Sequence, residues 1–343
     1  MSGWNLKEGK LISDRLSDDE YWALFNFVFS DACKKTNTYK FGLIKSICDQ
    51  IYDLVEVEDG HFISYGEIFG KFTENYWNLV LRYEIKQMVF NGKSEYSTIE
   101  QIILSNKKKY GILQEVSFES IRELERHQII KEVTKECKKC VIGALYNDFE
   151  GKLYSFSLKG DGITISHGAY NFISRHKMEL EKINYYSWAR FLEKINSDDV
   201  TGKLLEKLDL ATPQRRDLSV YRDILYREFQ ENCCFYCGKK IGNKSHVDHF
   251  IPWSFVKTDN LWNFVLSCPR CNISKNNKLA NADFIKKINE RNSLLIECMG
   301  ESQFVKKEFL GYYPGLIDRI WKYARLSGIK EKDYYVDRED LNV

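Results

Sequence analysis

The chain has 343 residues, 43 % of them apolar and 14 % aromatic, with four prolines and a formal net charge of +2. That length leaves room for two or three domains, and the composition excludes a disordered or low-complexity protein. The charge excludes a chain that binds polyanions throughout, yet residues 211–300 hold 14 Lys+Arg against 9 Asp+Glu, a local +5 that leaves −3 elsewhere.

The start, MSGWNLKEGK, has no apolar h-region, and the longest apolar runs, such as 140–146, are too short to cross a bilayer. A cytoplasmic protein without membrane contact is expected. Thiols stay reduced there, so the ten cysteines point to metal or core packing rather than to disulfides.

In chain order, the first 135 residues read as helices. SDDEYWALFNFVF places Ser17 and Glu20 three apart, a capping box ahead of an apolar helix. Residues 76–90 and 118–133 keep helical apolar spacing. The stretch 140–165 is rich in β-formers, with turn residues Asn147, Asp148, Gly160 and Gly162, and predicts a hairpin. Helices resume over 169–184 and 186–195. The polar stretches 196–203 and 211–216 mark a domain boundary, and 218–230 is a further helix. The tail, 302–326, is helical with a break near Pro314. Minor features read as structural. NKKKYG (106–111) is a solvated basic turn, CKKC (137–140) lacks further ligands nearby, and His127, His167 and His176 show no metal-ligand spacing.

The informative region lies between. Cys234 and Cys237 form CFYC, and Cys268 and Cys271 form CPRC, 30 residues further on. Two such knuckles predict a tetrahedral structural Zn²⁺ with no open position for a catalytic water. Cys233 is one cysteine too many and reads as packing. Between the knuckles, HVDHFIPWS sets Asp248 beside His249 in an apolar run, although aspartate is seldom buried unless paired or metal-bound. Imidazole exchanges protons near neutral pH and suits a general base. Asp248 and Asn272 are oxygen donors of the kind Mg²⁺ takes.

Cys-x-x-Cys, Val-Asp-His-x-x-Pro, a central asparagine before an apolar strand, and Cys-x-x-Cys-Asn-x-x-Lys together resemble the HNH, or ββα-metal, nucleases. The resemblance covers residues 232–279. It implies an α+β protein: a mostly helical N-terminal region with a small β-hairpin, then a C-terminal ββα-metal domain stapled by zinc and flanked by helices. The expected division is 1–200 for DNA, regulatory or partner binding, 205–300 for the nuclease domain, and 301–343 for a helical extension. The resemblance further implies hydrolysis of DNA phosphodiesters, with RNA an open alternative. His249 would be the general base, and Asp248 with Asn272 would hold Mg²⁺ or Mn²⁺. Asn263 would hold the loop that aims His249, with Asn260 the rival for that role. The family often has histidine where Asn272 stands, a change of ligand that leaves nucleases active. Lys275 would contact phosphate, Lys278 reads as a solvated face, and His246 is either a further ligand or a surface residue. The broader expectation is phage defence or restriction. The alternatives are a non-catalytic, zinc-stapled nucleic-acid-binding or adaptor protein, and a nuclease subunit silent until a partner engages residues 1–200.

Overall fold

The computed structural model describes residues 6–12, 16–90, 92–197, 201–210, 218–228, 233–242, 245–299 and 301–332. The chain forms two compact units, Met1–Gln214 and Arg215–Val343. It is α+β, mostly helical, with small sheets.

The first unit carries α1 (Asp18–Phe29), α2 (Tyr39–Asp49), α3 (Tyr65–Leu81), α4 (Thr98–Tyr110), α5 (Glu123–Asp148), α6 (His167–Arg175), α7 (Lys177–Ile195) and α8 (Leu204–Leu210). Capping boxes start three of them, at Ser17 with Glu20, Ser64 with Glu67 and Ser97 with Glu100. Each reciprocal pair satisfies N–H groups that a helix start leaves without partners. The expected helix over 76–90 differs at both ends. It begins at the Ser64 cap and stops at Leu81, because the chain turns through Glu84 at φ 52°. NKKKYG is no turn but the last part of α4, closed by Gly111 at φ 63°, with Lys107, Lys108 and Lys109 in its final turn.

The hairpin expected over 140–165 is half helix. Ile129, Val133, Cys137, Val141 and Leu145 recur every fourth residue and are buried along α5. A continuous apolar stripe of that period outweighs the local β-propensity of 140–146. CKKC lies on this helix, and burial pushes the Cys137 thiol up. The true hairpin joins β4 (Tyr154–Ser157) to β5 (Gly162–Ile165). It is the middle of a five-stranded antiparallel sheet, ordered β1-β4-β5-β3-β2, with β1 (Glu8–Gly9), β2 (Val55–Val57) and β3 (Gly60–Ser64). Gly162 faces Ser64 across β3, where a Cβ would stand 2.1 Å from the Ile63 carbonyl oxygen.

Helix α2 packs on α3 and α7 and is buried almost all round, polar residues included. Lys45 pairs with Asp49, Lys177 with Glu181 at 2.7 Å, and Lys45 also reaches Glu181 at 3.6 Å. The four charges alternate in sign, which is how such groups are tolerated in a core.

In the second unit, α9 (Ser219–Glu228) precedes an antiparallel pair, β6 (His246–His249) and β7 (Phe264–Ser267). The connection holds the short α10 (Trp253–Val256) and a 3-10 turn, Leu261–Asn263. Helix α11 (Pro269–Lys275) follows β7 and completes a ββα unit. Beyond it come β8 (Leu279–Ala280), α12 (Asp283–Met299), α13 (Gln303–Glu308), α14 (Leu316–Leu326) and β9 (Glu331–Lys332). β9 pairs parallel with β8, and Trp321 Nε1 donates to the Ala280 carbonyl at 2.8 Å. The expected break falls between α13 and α14, where Gly315 takes φ 94°. Among the described residues, no helix is long and apolar enough to cross a membrane.

Candidate active site and metal centre

The first knuckle is a tight turn. The Cys234 N–H donates to the Lys239 carbonyl at 2.8 Å, and the Gly238 N–H to the Cys234 carbonyl at 2.9 Å. Gly238 takes φ 70°, a conformation that glycine adopts without strain. The second knuckle is a helix start. Cys268 is the N-cap of α11, and its Sγ accepts from the Cys271 N–H at 3.4 Å. Pro269 follows at the first helical position, where no N–H is needed. The four sulfurs lie within 4.8 Å of one another, with Cys237 and Cys268 3.9 Å apart. Zn–S bonds of about 2.3 Å in a tetrahedron give sulfur separations of roughly 3.8 Å, so the set fits a structural zinc. Burial pushes the Cys234 and Cys271 thiols up. At Cys268 burial acts the same way, but hydrogen bonds from Cys271 and the neighbouring thiols outweigh it and the net direction is down.

Asp248 and His249 end strand β6, opposite Val265 and Phe264 of β7. Neighbouring strand residues ordinarily face opposite ways. Here the strand stops at His249, and both residues line one cavity of about 350 Å³ together with Asn272 and Lys275. His249 Nε2 is 2.8 Å from Asp259 Oδ1, and its ring meets Phe264 edge-on at 4.7 Å. Asp259 is held in turn, since its carbonyl accepts from the Tyr221 hydroxyl at 3.3 Å.

Asn263 is fully buried. Its amide accepts from the Ile251 N–H at 2.8 Å and donates to the Ile251 carbonyl at 3.0 Å. Its own carbonyl accepts from the Phe250 N–H at 2.7 Å. One side chain thus clasps the chain just past His249 to the start of β7. The Asn260 carbonyl accepts from the Asn263 N–H at 2.9 Å in the 3-10 turn. Arg291 and Asn292 of α12 bind the Trp262 carbonyl from behind, at 3.3 and 2.9 Å.

Asn272 lies on α11, with Nδ2 3.3 Å from His246 Nδ1. An amide NH₂ can only donate, so His246 Nδ1 accepts, and the amide oxygen keeps its lone pairs for a cation. His246 itself is exposed on β6.

Lys275 corrects an expectation. It is fully buried rather than turned to solvent for phosphate. Its ammonium is 3.1 Å from Asp248 Oδ2 and donates to the His249 carbonyl at 2.6 Å. Helical spacing alone does not tell a solvent-facing lysine from one folded under the helix onto a carboxylate. Lys278 is exposed. The buried ammonium already neutralises the Asp248 carboxylate. Two participants were not foreseen. Tyr236, inside the first knuckle, donates its hydroxyl to Asp248 Oδ2 at 2.5 Å. Asp259 sits in a polar loop with no motif around it.

An antiparallel pair closed by a short helix, with a histidine and two oxygen donors at one cavity and four cysteines bracketing it, defines a zinc-stapled ββα-metal module. Residues 234–278 match the HNH endonuclease family model and form an HNH endonuclease domain of the nuclease class. No curated protein and no solved structure matches the chain.

Proposed function

We propose that the protein is a metal-dependent endonuclease that hydrolyses DNA phosphodiester bonds. One observation carries the reading: His249, Asp248 and Asn272 line a single cavity, with the imidazole fixed by Asp259. An Nε2–H donated to the Asp259 carboxylate leaves Nδ1 with the lone pair that takes a proton from water. Asp248 and Asn272 would hold Mg²⁺ or Mn²⁺, which neutralises charge growing on the phosphate oxygens. Asn263 holds the loop that aims His249. Residues 1–200 would supply binding or control and no chemistry. A role in phage defence or restriction follows from family analogy.

One observation favours a second reading, a nuclease that stays silent until a partner acts. The Lys275 ammonium already neutralises Asp248 and competes with a metal for it. Incubation of the full chain with supercoiled plasmid tests both. Cleavage with Mg²⁺ or Mn²⁺ that EDTA stops and His249→Ala abolishes supports the active enzyme. Absence of cleavage across a wide metal range, with DNA still bound, supports the silent or non-catalytic forms.

A further inference from the structure

The first unit brings together three side chains that the sequence keeps far apart. Glu56 on β2 is the direct cross-strand partner of His61 on β3, and His61 opposes Ile165 on β5. Directly opposed residues share a face of the sheet. Two residues past Ile165, His167 opens α6 behind its cap Ser166. The ligand atoms of Glu56, His61 and His167 lie within 4.8 Å of one another.

Both imidazoles are already held. His61 is buried and stacks face to face on Tyr170, with centroids 3.6 Å apart and planes 7° from parallel. His167 meets His61 at 5.1 Å, nearly perpendicular. His167 Nε2 is 3.3 Å from the Glu58 carbonyl oxygen. A carbonyl only accepts, so Nε2 carries the proton in this contact and Nδ1 keeps its lone pair. An outward N–H to a backbone carbonyl is how metal-bound histidines are commonly oriented. The N-terminus of α6 opposes a cation there, and the Glu56 carboxylate supplies the compensating charge.

We propose that Glu56, His61 and His167 form a second metal site that takes Zn²⁺ or a neighbouring first-row divalent ion. Two imidazoles disfavour Mg²⁺ and Ca²⁺, which prefer oxygen donors. Two histidines and a glutamate are a three-ligand zinc set that leaves a fourth position for water or an external donor. Glu56 is exposed, so that position opens toward solvent. The bound ion would join the edge strand β2 to β3 and to the start of α6. The stretch 55–61 and His167 would then be fastened by one ion, independently of the four-cysteine centre.

Metal counting on the full chain tests this. Purified protein is saturated with Zn²⁺ or Co²⁺, desalted and analysed. The parent should hold one equivalent more than each of Glu56→Gln, His167→Asn and His61→Phe, a difference that any ion at the Asp248 cavity does not alter. The phenylalanine keeps a ring to stack on Tyr170, so its loss of metal reflects the ligand and not the packing. Co²⁺ at the thiolates gives intense sulfur-to-metal charge-transfer bands, and Co²⁺ at this site should add only weak visible bands. The two centres are therefore read separately. Added Zn²⁺ should raise the melting temperature of the parent more than that of the variants. A parent with no equivalent beyond the thiolate site overturns the proposal. So does an extra equivalent that all three variants retain, which would place it at the Asp248 cavity or elsewhere.

Discussion

The hydroxyl of Tyr236 donates to Asp248 Oδ2 at 2.5 Å, and Tyr236 stands between the two cysteines of the first knuckle. The zinc turn therefore positions the carboxylate at the cavity as well as stapling the fold. Tyr236→Phe should keep its full zinc content. It removes a hydrogen bond to a charged group, a contribution of about 1.5–3 kcal/mol. The half-maximal Mg²⁺ concentration for plasmid cleavage should rise, as a metal titration would read. An unchanged titration curve would remove Tyr236 from the site.

Zinc should be present at one equivalent in the four-cysteine centre of freshly purified protein. In small modules such a site contributes on the order of 10 kcal/mol to folding. Cys268→Ser removes a ligand and the N-cap sulfur of α11 together. Its melting temperature and cleavage should fall in parallel, as calorimetry and a cleavage time course would show. Elemental analysis finding no zinc bound by these cysteines would refute the assignment.

His249→Ala should abolish cleavage while sparing the fold and DNA binding, since loss of a general base lowers rates by ~10²–10⁴-fold. Asp259→Ala should lower kcat by at least about tenfold, with KM unchanged. Asp259→Asn, which keeps an oxygen acceptor for Nε2, should retain part of that rate. If Asp259 were merely structural, KM and melting temperature would move together with kcat.

Lys275→Met leaves the buried Asp248 carboxylate without its ammonium. Breaking one partner of a buried pair costs about 3–5 kcal/mol. The variant should melt early without metal and gain more than the parent when Mg²⁺ is added, because a cation can then take the place of Nζ. Melting curves with and without Mg²⁺ decide this; equal Mg²⁺ shifts would mean that Asp248 holds no metal.

Burial, and after it the side chain of Glu74, pushes the Glu119 carboxyl up to about 7. An unfolded glutamate titrates near 4.3, so the folded chain binds the extra proton between roughly pH 4 and 7. Stability should therefore fall as pH rises through that window. Glu119→Gln, which mimics the protonated form, should be more stable than the parent at about pH 8, by up to about 4 kcal/mol, and equal to it near pH 4. Thermal melts at the two pH values check the sign.

The HNH module was legible because its chemistry is written in short spacings. CFYC, VDH and CPRCN each lie within one turn or one strand end, so local sequence carries local geometry. Asp259 and Tyr236 were not legible, since their roles depend on side chains meeting across a loop and a knuckle. The hairpin over 140–165 was misjudged because Val141 and Ile142 favour strands locally, while the buried stripe from Ile129 to Leu145 decides for helix. Helix α2 showed no amphipathic period, because its buried face carries Lys45 and Asp49, which pair with each other, with Lys45 also reaching Glu181 of α7. His61 and His167 meet only through the register of β3 with β5.

The parallel pair of β8 with β9, together with Trp321 on the Ala280 carbonyl, returns the chain to a point just past the last motif residue. For protein engineering, the portable unit is therefore larger than the motif. A graft that stopped at residue 280 would leave the Leu279 N–H without the Lys330 carbonyl it reaches at 3.0 Å. It would also lose Arg291 and Asn292, which brace the turn that ends in Asn263. A transplant onto another domain has to carry the chain through β9, Glu331–Lys332, as one piece.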